Sequence, residues 1–218
     1  MVLVGAAGLA SLLLSKHNAP PQLGLSNSTG SGASSSLAGK WTVGRGSLVG
    51  YRAKEKLVNQ PTETEAVART SKVTGSVTAS VAGGTARISQ MKFTVDLTSL
   101  VSQDKYSTYQ VYQRDFFVRS IYLETDHFPT AVFTSDGASF FVPSSGPAGV
   151  DVDGKLTVHG VTREVTAHVQ AQADGAHAEV AGSIVVDMRD FDIAPPDISF
   201  TRAEPLVTIE YDLMLVHA

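Results

Sequence analysis

The sequence predicts an all-β protein of about eight antiparallel strands, interrupted once by a short helical crossover. Three observations predict it. Apolar and polar residues alternate with a period of two from about Trp41 onward, most clearly in Val207-Thr208-Ile209-Glu210-Tyr211-Asp212-Leu213-Met214-Leu215. Turn signals such as Gly83-Gly84 separate consecutive alternating runs. A single stretch, Tyr109 to Asp126, loses the rhythm. A strand with one dry face must press it against other dry faces, so this many strands imply a sandwich or a closed barrel. The short reversals favour a meander barrel, although a two-sheet sandwich shares its periodicity.

The elements follow in order. Trp41 to Val43 and Ser47 to Leu57 read as the first strand signals, with Gly44, Gly46 and Gly50 allowing a sharp bend or a close crossing. Glu63 to Arg69 reads as a short polar connection. Val73, Val77, Ala79 and Val81 lead into Gly83-Gly84, and Met91, Phe93, Val95 and Leu97 return on one face, which makes a hairpin. Thr98 to Asp104 is rich in hydroxyl side chains and reads as a loop. Tyr109 to Asp126 is expected to form one or two helical turns, because its aromatic residues do not recur at every second position. Ala131 and Phe133 belong to the next strand, and Pro143 to Gly149 form a loop. Three further runs turn near Gly160 and Asp174-Gly175, Pro195-Pro196 interrupt the sheet, and the alternating run quoted above closes it.

Composition narrows the function classes. With 17 basic and 21 acidic side chains the formal net charge is -4, and no two Lys or Arg residues are adjacent, so nucleic acid is not an expected partner. Cysteine is absent, which excludes disulfides and thiolate metal sites. Residues 1–14 are almost wholly apolar, too short to cross a bilayer of about 30 Å as a helix, and resemble a signal-peptide core or part of a signal anchor. An extracytoplasmic location (periplasmic, cell-envelope or secreted), with or without an N-terminal tether, is expected. Residues 15–40, rich in Gly, Ser and Ala, read as a flexible linker, and residues 41–218 as one folded domain.

Several segments match a known family in order. Ser47-Leu48-Val49-Gly50-Tyr51-Arg52-Ala53-Lys54-Glu55, Phe93-Thr94-Val95-Asp96-Leu97-Thr98-Ser99-Leu100 and Arg114-Asp115-Phe116-Phe117-Val118-Arg119-Ser120 resemble members of the YceI-like family. His127-Phe128-Pro129-Thr130-Ala131-Val132-Phe133 and Gly154-Lys155-Leu156-Thr157-Val158-His159-Gly160-Val161-Thr162-Arg163-Glu164-Val165 continue the resemblance, the latter most specifically. Arg189-Asp190-Phe191-Asp192-Ile193 stands where the family has an arginine-containing aromatic turn, with Asp192 in place of the usual glycine; Gly44 stands where an acidic residue is common. The resemblance implies an extended, lipocalin-like antiparallel barrel. It also implies binding, transport or storage of a polyisoprenoid or isoprenoid quinone, without catalysis or a required cofactor, and it allows a homodimer.

An isoprenoid tail needs an elongated dry channel, and each buried methylene contributes about 0.8 kcal/mol. Tyr51, Phe93, Val95, Phe116, Phe133, Val158 and Tyr211 are the candidate lining residues; each is equally at home in a filled core. Arg114, near Asp115 and Arg119, and Arg189, near Asp190, are candidates for holding the polar end of an amphipathic lipid near a mouth that contacts the membrane. Salt bridges that merely anchor their segments are the plain alternative. His127, His159 and His168 lack metal-ligand spacing, so no metal is expected. Glu55 and Asp96 are carboxylates that could meet across strands, but no cleft or nucleophile elbow accompanies them. Two other functions compete: an exported structural or interaction module with a filled core, and an enzyme acting on an isoprenoid lipid through a site such as His159 with nearby carboxylates.

Overall fold

The computed structural model of the chain describes residues 18–26, 37–58, 62–105, 111–173, 176–199 and 201–218. Eight staves run up and down in chain order and close into a barrel. The first consists of β1 (Gly39–Val43) and β2 (Leu48–Leu57), the second of β3 (Thr64–Thr70) and β4 (Val73–Ala82), and the third of β5 (Thr85–Asp96). A two-residue β6 (Val101–Ser102) and the helix α1 (Val111–Phe117) belong to the crossover. The fourth stave is β7 (Thr130–Ser135) with β8 (Ala138–Phe141), followed by β9 (Ala148–Val158), β10 (Val161–Ala173) and β11 (His177–Asp187). After the short β12 (Asp197–Ile198), the last stave, β13 (Thr201–His217), completes the wall.

Closure depends on the bend anticipated at the glycines. Gly44 leaves the β1 line and donates its backbone N–H to Met214 O at 2.7 Å. β1 can then pair with the far end of β13 (Trp41↔His217), while β2 pairs with the rest of it (Tyr51↔Ile209). A bulge between Ala203 and Val207 contains Pro205, which has no N–H to give to the ladder. Closed this way, the sheet leaves its long edges paired.

One expectation is corrected here. Glu63 to Arg69 is mostly strand, not connection: β3 pairs with β2 from Val49↔Thr70 to Glu55↔Thr64. Its alternation is masked because the inward residues are small (Ala66 and Ala68) and the outward ones charged (Glu65 and Arg69). Both charges are held, Glu65 by Arg52 at 2.6 Å and Arg69 by Glu210 at 2.7 Å. The crossover bears out the helical expectation: α1 runs into a wider π-type turn at Val118–Tyr122. The stretch after Leu97 is a single turn, Leu97–Ser99, capped by the Asp96 carboxylate accepting from Thr98 N at 2.9 Å, and then β6.

Within the segment that reads as a spacer, residues 18–26 lie along the outer wall as a strap. Arg52 Nη2 donates to Pro20 O at 2.9 Å and Arg69 Nη2 to Pro21 O at 2.5 Å. Leu23 N donates to Glu210 Oε2 at 3.3 Å, and Ser26 N to Glu179 Oε1 at 2.6 Å. Gln172 Nε2 donates to Ser26 O at 3.1 Å. The apolar leader, residues 27–36, Tyr109, and the turn at Asp174-Gly175 lie outside the described residues. Among the described residues, no helix is long and apolar enough to cross a membrane.

Candidate functional site

Side chains at alternate positions of every stave point inward. On β13 these are Thr201, Ala203, Val207, Ile209, Tyr211, Leu213 and Leu215, spread along about 46 Å of strand at ~3.3 Å per residue. They enclose a cavity of ≈ 380 Å³ that reaches from Trp41 and Phe140 near one end to Val118 of the crossover and Ile198 at the other. This volume lies within the usual span for small-molecule sites, roughly 300–1,000 Å³. Its walls are almost wholly apolar. Glu55 and Arg114 are the charged side chains on it among the described residues.

The interior is open because its aromatic residues lie against the wall. On the inner face Tyr211 is registered opposite Gly182, and a Cβ built on Gly182 would come 2.7 Å from the Tyr211 hydroxyl. The ring therefore crosses the bare glycine, and its hydroxyl donates to His168 O at 3.0 Å, two staves away. Phe133 covers Gly154 in the same manner, with its Cζ 2.5 Å from the position a Cβ would take, and Phe93 covers Gly75. Small inward residues such as Ala53, Ala66 and Ala79 keep the remaining wall thin. A filled core is therefore not what this alternation encodes.

Seven of the residues selected from sequence lie on this wall: Tyr51, Phe93, Val95, Arg114, Phe133, Val158 and Tyr211. Two do not. Phe116 is 58% exposed on the outer side of α1, because a helix turns its side chains by about 100° per residue and hands the inward position to Phe117. Arg189 also lies outside, with its Nε 2.9 Å from Asp187 Oδ1; this hydrogen bond holds the Asp187 carboxyl below its ordinary range. Asp192, the departure from the family turn, adopts φ 57°, ψ 28°, the left-handed conformation that a glycine would accept freely and that Asp tolerates better than most residues.

At the crossover end the wall carries one polar cluster. Arg114, 8% exposed, donates from Nη1 to Glu55 Oε1 at 3.2 Å and from Nη2 to Ser102 Oγ at 3.0 Å and to Asp104 Oδ1. Burial disfavours the guanidinium charge, but the hydrogen bond and charge of Asp104, with Glu55, more than offset it and hold the proton more firmly than usual. Asp115 accepts from Ser102 N at 3.0 Å and from Ser102 Oγ, which itself accepts from Arg114, so it anchors the crossover and reaches the arginine through Ser102. Glu55 thus meets Arg114, while Asp96 caps its turn; the two do not form a pair. Asp104 was not singled out from sequence, since nothing local marks a loop aspartate that folds under a helix. Glu55 lies on the inward face of β2, in phase with Tyr51 and four residues after it.

Near this end His159 accommodates φ 51° in the β9–β10 turn, with Nδ1 3.2 Å from Phe191 O and Nε2 3.4 Å from Glu124 Oε2. Phe128 packs edge-on against it at 4.7 Å between centroids. His159 is thus held within the turn. No group of three potential metal ligands is present among the described residues.

The outer wall holds a second charged group. Glu210, 0% exposed, accepts from Arg69 Nε at 2.8 Å and lies 3.4 Å from Arg52 Nη2, beneath the strap. Gly50, between them in register, gives Arg69 its path across β2. Nearby on the same strand, burial pushes the Asp212 carboxyl up to about 6, and the charge of Glu179 adds to this. Asp212 Oδ1 is buried without a hydrogen-bond partner among the described residues. The folded chain therefore binds this proton more readily than the unfolded chain between about pH 4 and pH 6, so stability falls as pH rises through that window. Asp212→Asn is expected to raise the melting temperature at pH 7, with the gain shrinking as pH falls toward 4. A gain independent of pH would contradict the assignment.

Comparison with known proteins bears on the same region. Residues 51–215 match the model of a family described as the YceI-like domain. A solved polyisoprenoid binding domain from Saccharophagus degradans, implicated in plant cell wall breakdown, superposes with a TM-score of 0.59 at 14% identity. The match covers 83% of this chain and 99% of that one. BcnA of Burkholderia cenocepacia superposes with a TM-score of 0.53 at 22% identity, over 76% of this chain and 95% of that one. At such identities these likenesses speak for the fold alone. No curated protein matches the chain.

Proposed function

Since the chain belongs to the YceI-like domain family, we propose that it is a non-enzymatic carrier or store of a polyisoprenoid or isoprenoid-quinone lipid, held by its tail in the barrel lumen. The observation that carries this reading is the continuous apolar lumen of ≈ 380 Å³, kept open by aromatic rings folded onto glycines. A prenyl chain offers branched hydrocarbon and almost no hydrogen-bonding groups, which suits walls that offer almost none. Each methylene taken from water contributes about 0.8 kcal/mol, so affinity grows with the length of tail covered. A small-molecule enzyme would need several convergent polar groups in such a pocket, whereas among the described residues the wall's charged side chains, Glu55 and Arg114, are engaged with each other.

Loading and release require the tail to pass an end of the barrel. The crossover is the part of the wall we assign to this movement, since Phe117 and Val118 face the lumen while Phe116 and Ile121 are exposed beside them. In this reading the exposed pair touches the membrane as lipid is exchanged, in an extracytoplasmic compartment.

Organic extraction of the purified chain followed by mass spectrometry tests the proposal. A prenyl lipid approaching one per chain is expected, with uptake of added prenyl lipid by stripped protein. A clean extract together with no uptake would overturn it.

A further inference from the structure

The staves run alternately up and down, so the connections after β2, β5, β9 and β11 all lie at one end of the barrel, the end of the crossover. Exposed large apolar side chains gather there. Val58 follows β2, while Val101, Phe116 and Ile121 belong to the crossover and Ile198 to β12. Among the described residues Phe141 is the one such side chain at the opposite end, and Val185 and Leu206 sit on the staves themselves. Apolar side chains scattered singly over a surface are ordinary. A group drawn from three separate connections to one end marks a surface that something apolar covers. Ile198 and Phe117 are exposed and also line the cavity, so lumen and surface adjoin here.

The chain leads its own apolar segment to the same place. Asn18 and Lys105 exchange backbone hydrogen bonds, each of 3.2 Å. Lys105 belongs to the connection that contains α1, and Asp104 beside it accepts from Arg114 of that helix. From Asn18 the strap runs away along the wall, past Arg52 and Arg69, to Glu179. The apolar run that closes at Leu14 lies four residues ahead of Asn18, a reach of at most about 14 Å. The opposite end is the length of a stave away, so Leu14 stays beside the crossover end.

We propose that the crossover end is a docking surface for a lipid bilayer, entered by these exposed side chains together with the apolar run ending at Leu14, so that the barrel stands end-on with its mouth against the hydrocarbon. This inference rests on the carrier reading and extends its membrane contact from the crossover pair to the whole end and the leader. The leader selects the occupant, since a hydrophobic run and an apolar rim side by side both leave water by entering one layer. Each insertion also strengthens the other, because the first holds the second at high local concentration. The attraction is apolar, so zwitterionic lipid suffices.

The chain has no cysteine, so a single introduced thiol takes a label at one place only. Full-length Ile121→Cys and Phe141→Cys, each carrying an environment-sensitive fluorophore, are mixed with phosphatidylcholine vesicles. Emission from the Ile121→Cys label is expected to shift to the blue and to be quenched by brominated acyl chains, while the Phe141→Cys label stays as in buffer. Val58→Asp with Phe116→Asp is expected to weaken vesicle binding at least about tenfold. Should that variant fail to fold, the labelled chains still decide. No response from the Ile121→Cys label, even where the chain floats with vesicles, overturns the inference, and so do equal responses at both labels. A shift that follows protein concentration without vesicles also overturns it and gives the surface to a second copy. Organic extraction of the same preparations tests the carrier separately. Prenyl lipid in a chain that does not dock leaves the carrier standing, and docking by a chain that neither holds nor takes up prenyl lipid overturns the carrier alone.

Discussion

Glu210→Ala is expected to destabilise the barrel by about 3–5 kcal/mol, the usual cost of removing one partner from a buried ion group. For a folded unit of this size that corresponds to a fall in melting temperature of roughly 10 °C. Glu210 is fully buried on the outer wall, and its two oxygens serve Arg69, Arg52 and the Leu23 amide together. Its loss leaves two guanidinium groups near each other, each only 12% exposed, with less compensation. The same change frees the Leu23 amide, so hydrogen exchange there should accelerate along with the loss of stability. Glu210→Gln keeps an acceptor and should cost less. A melting temperature within a degree of the parent for Glu210→Ala would mean that the strap and the arginines contribute nothing measurable to the wall.

Blocking the lumen is expected to have the largest effect on binding. Val95 on β5 and Val186 on β11 both line the cavity and stand on opposite staves, with three staves between them in either direction. Both lie toward the crossover end of their strands, so two indoles from Val95→Trp and Val186→Trp would meet across the passage. If the bound tail loses cover for about five methylenes, the loss is ~4 kcal/mol, or about a thousandfold in affinity. Filling an empty passage should disturb folding little, since the cost of overpacking, about 1–3 kcal/mol, applies to cores already full. Val185→Trp is the matched control, because Val185 faces outward and is 57% exposed. Equal lipid uptake by the double variant and this control would show that the tail does not run between these staves.

Much of the architecture was legible in the residues. Strict alternation in β13 and the hairpin at Gly83-Gly84 follow from the period of the pleat, and the family resemblance supplied the barrel. What alternation could not say was whether inward rings fill the middle. That outcome depends on cross-strand register: Tyr211 lies flat because Gly182 is opposite it, and Phe133 because it overlies Gly154. Neither pairing is local in sequence. β3 escaped notice for a related reason, as its inward face toward the lumen carries alanines and its charged residues find their partners on β2, β13 and the strap. Phe116 was misplaced by one residue, since the rhythm there is that of a helix and its phase depends on where the helix meets the wall. Arg114 stands on the lumen wall, but its engagement by Asp104 and Glu55 joins residues far apart in the chain and required the fold.

The strap has a mechanical consequence. Between Asn18 and Ser26 it exchanges hydrogen bonds with side chains of β2, β3, β13, β11 and β10, five adjoining staves that include the seam where the last stave meets the first. Any pull arriving at Asn18 is therefore shared sideways around the wall before it can peel β1 from β4, much as a hoop spreads tension over a cask.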